Sequence, residues 1–163
     1  MGAALAPRTL YGAGMRLVHH VHTAASPAQV WAKLGTPSRW PEFDVFLAKV
    51  RGPERPAAVG QHLVGISRWT ALGIPLDVLE VEPEKRLVMR VRTAPGITEE
   101  LTFVLTPTTR AGTSISVSVV VEGLFAGVAA PMLWLTNGLN ARVLAARTHG
   151  VARHARRTAK TVA

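Results

Sequence analysis

The chain has 163 residues, 48% of them hydrophobic, and no cysteine. That is enough chain to bury one core without disulfides or a structural metal, and thiolate chemistry is excluded. The net charge is +9, and no apolar run reaches the ~18 residues that a membrane span takes.

Residues 1–14, MGAALAPRTLYGAG, carry Arg8 and lack an apolar h-region, so they read as a flexible leader and not as a signal peptide. The domain proper is expected over residues 15–163. Leu17 to Thr23 alternates and predicts a strand. Ser26-Pro27 is an N-cap followed by proline at the first helical position, and Ala28 to Leu34 continues at helical spacing. Gly35 and Pro37 stop that helix, and Trp40-Pro41-Glu42-Phe43 turns the chain into a second short helical piece. Six further strands follow, separated by turn signals: Val45 to Arg51, Gln61 to Thr70, Ile74 to Glu82, Leu87 to Thr93, Thr98 to Thr106 and Thr113 to Glu122. From Leu124 the period becomes helical, with Pro131 as the expected start of a long helix reaching about Thr158. The strand connections are too short for parallel crossovers. The expected class is α+β: a curved seven-stranded antiparallel sheet wrapped around a long C-terminal helix, with two short helices between the first two strands.

Strand phase assigns the inner face. Leu101, Phe103 and Leu105 share a face with Glu99; Leu87, Met89 and Val91 face inward, leaving Val88, Arg90 and Arg92 outside. Ile115, Val117, Val119 and Val121 face in on the last strand. On Gln61 to Thr70 the face holding Leu63, Gly65, Ser67 and Trp69 is taken as inward, since this keeps Arg68 in water. Asp77 shares its alternation with Leu79 and Val81, on a strand that is apolar on both faces.

Several motifs in this order resemble the START/polyketide-cyclase superfamily (SRPBCC), which has the helix-grip fold of the birch-pollen allergen. They are the Ser26-Pro27 helix with the Trp40-Pro41 turn, Val59-Gly60 before a strand, Glu80-Val81-Glu82-Pro83 leading to Lys85-Arg86-Leu87, and Ala111-Gly112-Thr113 before the last strand. The resemblance covers the chain from Met15 onward. It implies an internal apolar cavity of about 300–1,000 Å³ holding a hydrophobic polyketide- or lipid-like molecule. The activities it implies are cofactor-independent cyclisation or dehydration, non-catalytic lipid carriage, or activation of another protein. The only tyrosine, Tyr11, lies in the leader, so the tyrosine-assisted polar network of some aromatase/cyclases is missing.

With that cavity, the inward residues Leu63, Ser67, Trp69, Met89, Leu101, Phe103 and Val117 become its expected lining. Glu99, a carboxyl on an apolar face, is the candidate general acid or base. On the long helix, one stripe holds Val128, Met132, Leu135, Leu139 and Val143. A second holds Leu133, Asn137, Asn140, Leu144 and Val151, and Asn137 and Asn140 orient a ligand if that stripe faces the cavity. Only one stripe can cover the sheet. A dimer contact or a membrane-facing entrance near Leu133, Trp134 and Leu144 is expected for the other.

His20 and His22 share a strand face, but no further ligand completes a zinc set, so neither metal nor cofactor is expected. His149 and His154 read as solvated. Six basic residues and no acidic one follow Glu122: Arg142, Arg147, Arg153, Arg156, Arg157 and Lys160. Cations suit the negative end of a long helix and leave contact with an anionic membrane open. No nucleic-acid motif accompanies them, so nucleic acid is not an expected partner. A cytoplasmic location is expected from the absence of cysteine and of a signal peptide.

Overall fold

Alternating Val, Ile, Leu and Thr, broken by Gly and Pro turns, give seven strands in the computed structural model, which describes residues 15–109 and 111–161 and side chains as far as residue 150. They are β1 (Met15–Thr23), β2 (Leu47–Arg51), β3 (His62–Ser67), β4 (Gly73–Glu82), β5 (Arg86–Ala94), β6 (Ile97–Pro107) and β7 (Thr113–Glu122). All pair antiparallel in one sheet of order β1-β7-β6-β5-β4-β3-β2. The leader expected over residues 1–14 lies outside the described residues.

Between β1 and β2 stand helix α1 (Pro27–Leu34) and a 3₁₀ turn (Pro37–Glu42). The Ser26 hydroxyl accepts from Gln29 N–H, and the Gln29 side chain accepts from Ser26 N–H. This reciprocal cap satisfies two donors that the helix start would leave orphaned. The turn is pinned by Trp40, whose buried indole donates to Leu34 O at 2.8 Å. Lys33, almost wholly buried, meets the Glu42 carboxylate, which Arg39 also holds.

Helix α2 (Ala126–Thr161) begins five residues before the expected Pro131. Proline is tolerated in a first turn, where its missing N–H costs nothing, but here it sits just inside the helix. The real start is set by Gly123, whose φ of +118° turns the chain out of β7 and whose carbonyl accepts from Ala126 N–H. α2 packs on β1, β7 and β6 and touches α1. Its lower half is fastened by Thr148, whose hydroxyl bonds Thr23 Oγ1 at 3.1 Å. His149, expected in solvent, is half-buried, and its Nδ1 accepts from Ala24 N–H at 3.3 Å.

The core lies between the inner sheet face, α1, the 3₁₀ turn and α2, and includes Leu63, Met89, Leu101, Phe103 and Val117. Two expected phases are corrected. Val88, expected outside, is buried: it stands in register between Glu80 and Thr102, and the Arg86–Glu80 ion pair spans the sheet beside it. On β4 a bulge between Val78 and Glu80 breaks the alternation. Val81 therefore joins the core side with Val78, while Asp77 lies on the outer face. There it pairs with His62 Nδ1 at 2.6 Å and Arg92 Nη2 at 2.8 Å.

Candidate functional site

Two carboxyls interrupt the apolar interior. Glu99 projects from β6 on the same face as Leu101 and Phe103 and is 4% exposed. Its Oε2 accepts from Asn137 Nδ2 on α2 at 3.2 Å, and its Oε1 accepts from the Thr93 hydroxyl on β5. Thr93 reaches it because β5 and β6 pair up to Val91–Glu99 and then shift register before Ala94. Asn137 is held in turn, as the same nitrogen donates to Leu133 O at 2.9 Å.

Asp44 is the second carboxyl. It follows the 3₁₀ turn, in the loop before β2, and its Oδ1 accepts from Phe46 N–H at 2.9 Å. The residue is half-buried, but the N–H groups of Phe46 and Leu47 and the Asn140 side chain surround its carboxyl. Asn140, one helical turn beyond Asn137, accepts from Val45 N–H at 3.0 Å and so ties α2 to this loop. Arg68 adds a cation, its guanidinium donating to Leu47 O at 2.7 Å and Val45 O at 3.3 Å.

Burial raises the pKa of Glu99; the bonds from Thr93 and Asn137 oppose the rise, and the nearby Asp44 charge adds to it. Burial also raises Asp44, against hydrogen bonds from Phe46, Leu47 and Asn140 and the attraction of Arg68. Two acids whose pKa values burial raises therefore stand along the Asn137–Asn140 face of α2.

The sequence-predicted residues divide. Glu99 meets Asn137, and Asn140 binds the loop before β2, so the Asn-bearing stripe of α2 faces the interior. Leu63, Met89, Leu101, Phe103 and Val117 are buried on the inner side. Trp69 does not line the interior. β3 ends at Ser67, the chain turns with Ala71 at φ +57°, and Trp69 stands 73% exposed on that turn. Ser67 is half-buried, and its hydroxyl accepts from Trp69 and Thr70 N–H, which makes it the cap of the turn. Asp44 was missed; its sole sequence signal is its place directly after the Trp40-Pro41 turn. Leu144 is fully buried and Leu133 half-buried, so the expected exposed surface around them is replaced by Val128, Met132, Leu135 and Leu139.

The two concavities described among these residues do not coincide with the enclosed cavity expected between sheet and helix. One, about 550 Å³, lies beside the β4–β5 turn and the end of β6. The other, about 570 Å³, is an open groove between the start of β1 and the first turns of α2, lined by Met15, Leu17, Ala130 and Trp134. Behind that groove His19 packs on Trp134 at 5.2 Å between ring centroids. No helix among the described residues is long and apolar enough to cross a membrane.

An antiparallel sheet gripped by a C-terminal helix, with polar side chains of that helix meeting its inner face, defines the helix-grip class. Within that class the chain belongs to the polyketide cyclase / dehydrase and lipid transport family, whose profile matches residues 15–157. No curated protein matches it. Among solved structures it is similar to the di-domain aromatase/cyclase StfQ from the steffimycin biosynthetic pathway (14% identity, TM-score 0.70, covering 85% of this chain and 52% of that one). It is also similar to a START superfamily protein from Mycobacterium smegmatis (16%, 0.62, 85% and 97%) and to protein CV1439 from Chromobacterium violaceum (18%, 0.63, 82% and 96%). At these identities the likeness is one of fold.

Proposed function

We propose that residues 15–163 form one ligand-binding domain that takes a hydrophobic polyketide- or lipid-like molecule between sheet and α2, and that Glu99 is its acid. The observation that supports this reading best is the Glu99 carboxyl itself. It is buried on an apolar face, kept toward its neutral form by lost hydration, and aimed at the helix that covers it. Family membership supports a small apolar ligand, and the similarity to an aromatase/cyclase favours a chain bearing several ketones.

The chemistry uses the acid form of Glu99, which burial favours. Glu99 gives its proton to a ketone oxygen while an enol carbon of the same molecule attacks that carbonyl carbon. One carbon–carbon bond forms, the attacked ketone becomes an alcohol, and the enol hydroxyl returns a proton to the carboxylate. Asn137 and Thr93 hold the carboxyl in place throughout, so that the proton is delivered from a fixed atom. No redox partner is needed.

Native mass spectrometry of the purified protein tests the binding step. A co-purifying hydrophobic mass, or a stoichiometric shift with an added poly-ketone or fatty acid, is the expected result. No adduct under either condition would overturn ligand binding. For the chemistry, Glu99→Gln should retain the ligand and lower turnover by ~10²–10⁴-fold. A ligand that binds and leaves unchanged from the wild-type chain assigns carriage in place of catalysis.

A further inference from the structure

The outer side of α2 carries an apolar pattern that neither the sheet nor the acid pair uses. Val128, Met132, Leu135 and Leu139 follow one another at steps of four, three and four residues, and Phe125 lies three residues before them, just ahead of the helix. That alternation is the seam of a helix meant to pack against another helix. The seam lies opposite the stripe that holds Asn137, Asn140 and Leu144, and it is bare: Val128 is 84% exposed, Met132 63% and Leu135 65%. The next seam position is Arg142, also exposed. With Leu124 at its flank, the seam forms a run of exposed apolar side chains of the kind that marks an interaction site. A standard interface takes ~800 Å² per partner, and this seam would supply the apolar centre of one.

We propose that a second copy of this chain covers the seam, through an antiparallel pairing of two α2 helices about a two-fold axis. The sequence matches itself in that register. Val128 meets Leu139 of the partner subunit and Met132 meets Leu135 of the partner subunit, and the symmetry repeats both layers. One layer further out, Arg142 falls over Phe125 of the partner subunit, a cation above an aromatic face. The charges agree with this occupant. Residues 123–141 carry no charged side chain, so two such helices meet without like-charge repulsion. The residues beside the seam, Ala129 and Thr136, are small and let the axes approach. A lipid surface fits less well. An interfacial helix sets Lys and Arg along its apolar stretch, whereas the exposed Arg142 and Arg147 lie beyond this one.

Sedimentation velocity and cross-linking of the full chain test the register. The wild type should sediment with twice the chain mass across the micromolar range and be indifferent to salt. Leu135→Glu, an exposed change that should leave the circular dichroism and the urea transition intact, should weaken association on the order of a hundredfold or more. The wild type has no cysteine, so V128C/L139C should give disulfide-linked dimers on mild oxidation, while V59C, an exposed position off the seam, should not. A wild-type monomer at all concentrations would overturn the proposal. So would a dimer that ignores Leu135→Glu, or a monomer that floats with anionic vesicles of phosphatidylserine and phosphatidylcholine.

Discussion

Replacing Glu99 by Gln separates charge from shape at the centre of the candidate site. The carboxyl is buried, and its folded-state pKa stands above the ordinary 4.5 because ionisation there forfeits hydration. Between the ordinary and the raised value the folded chain holds a proton that the unfolded chain has released. Stability therefore falls as pH rises through that window. Above it the wild type carries the full penalty, about 1.4 kcal/mol for each unit of the rise. Gln fills the same volume. Its oxygen can accept from Asn137 Nδ2 and its amide can donate to Thr93 Oγ1, so no polar group is stranded. Glu99→Gln should accordingly be the more stable protein near neutral pH and above. The two should converge at about pH 4, where both side chains are neutral. Urea unfolding at closely spaced pH values measures the difference directly. A difference that stays constant with pH, or a variant less stable than wild type at alkaline pH, would refute a titrating, desolvated Glu99. A slope that survives in the variant belongs to Asp44, whose pKa is raised in the same direction.

Phe103→Ala should cost ~3–5 kcal/mol in the same assay, as expected for a packed aromatic; a markedly smaller loss would show that the side chain borders free space. Glu42 runs opposite to Glu99: hydrogen bonds from Arg39, with the Lys33 bond adding to them, lower its pKa to about 2. Its contribution is present above 4.5 and disappears as pH falls toward 2. Because its side chain is 39% exposed, Glu42→Gln should cost only about 1 kcal/mol at neutral pH and flatten the acid limb of a melting-temperature profile. Gly123→Ala should lose ~2 kcal/mol or more by denaturant titration. A β-carbon there lies 1.9 Å from Gly96 O at a φ of +118°, and a neutral substitution would contradict this close backbone contact.

The strands were legible to within two or three residues because a half-buried sheet repeats every second residue and its turns are written in Gly and Pro. Glu99 was legible for the same reason: alternation carried its neighbours Leu101 and Phe103 inward and took it with them. Alternation failed where the backbone departs from it. The bulge at Leu79 reversed the phase of β4, and the turn after Ser67 removed Trp69 from the face it would have joined in a longer strand. The wholly apolar stripe of α2 proved to be the outer one, and only the three-dimensional partners of Asn137 and Asn140 show that the more polar stripe faces the sheet. Asp44 and Asn140 are 96 positions apart in sequence, and no local pattern connects them.

The sheet order has a consequence for the nascent chain. β1 is made first, yet its neighbour is β7, joined residue by residue from Met15–Val121 to Thr23–Thr113. Each of the strands from β3 to β7 can close on its predecessor as it leaves the ribosome, since these consecutive strands pair. β1 must wait for about ninety residues, or roughly 5–20 s at ordinary rates of synthesis. Throughout that interval Leu17 and Val21 have no sheet to enter. A chaperone that shelters a short apolar segment at the front of the chain would act in that window, and the docking of β1 and α2 would then be the last step of folding.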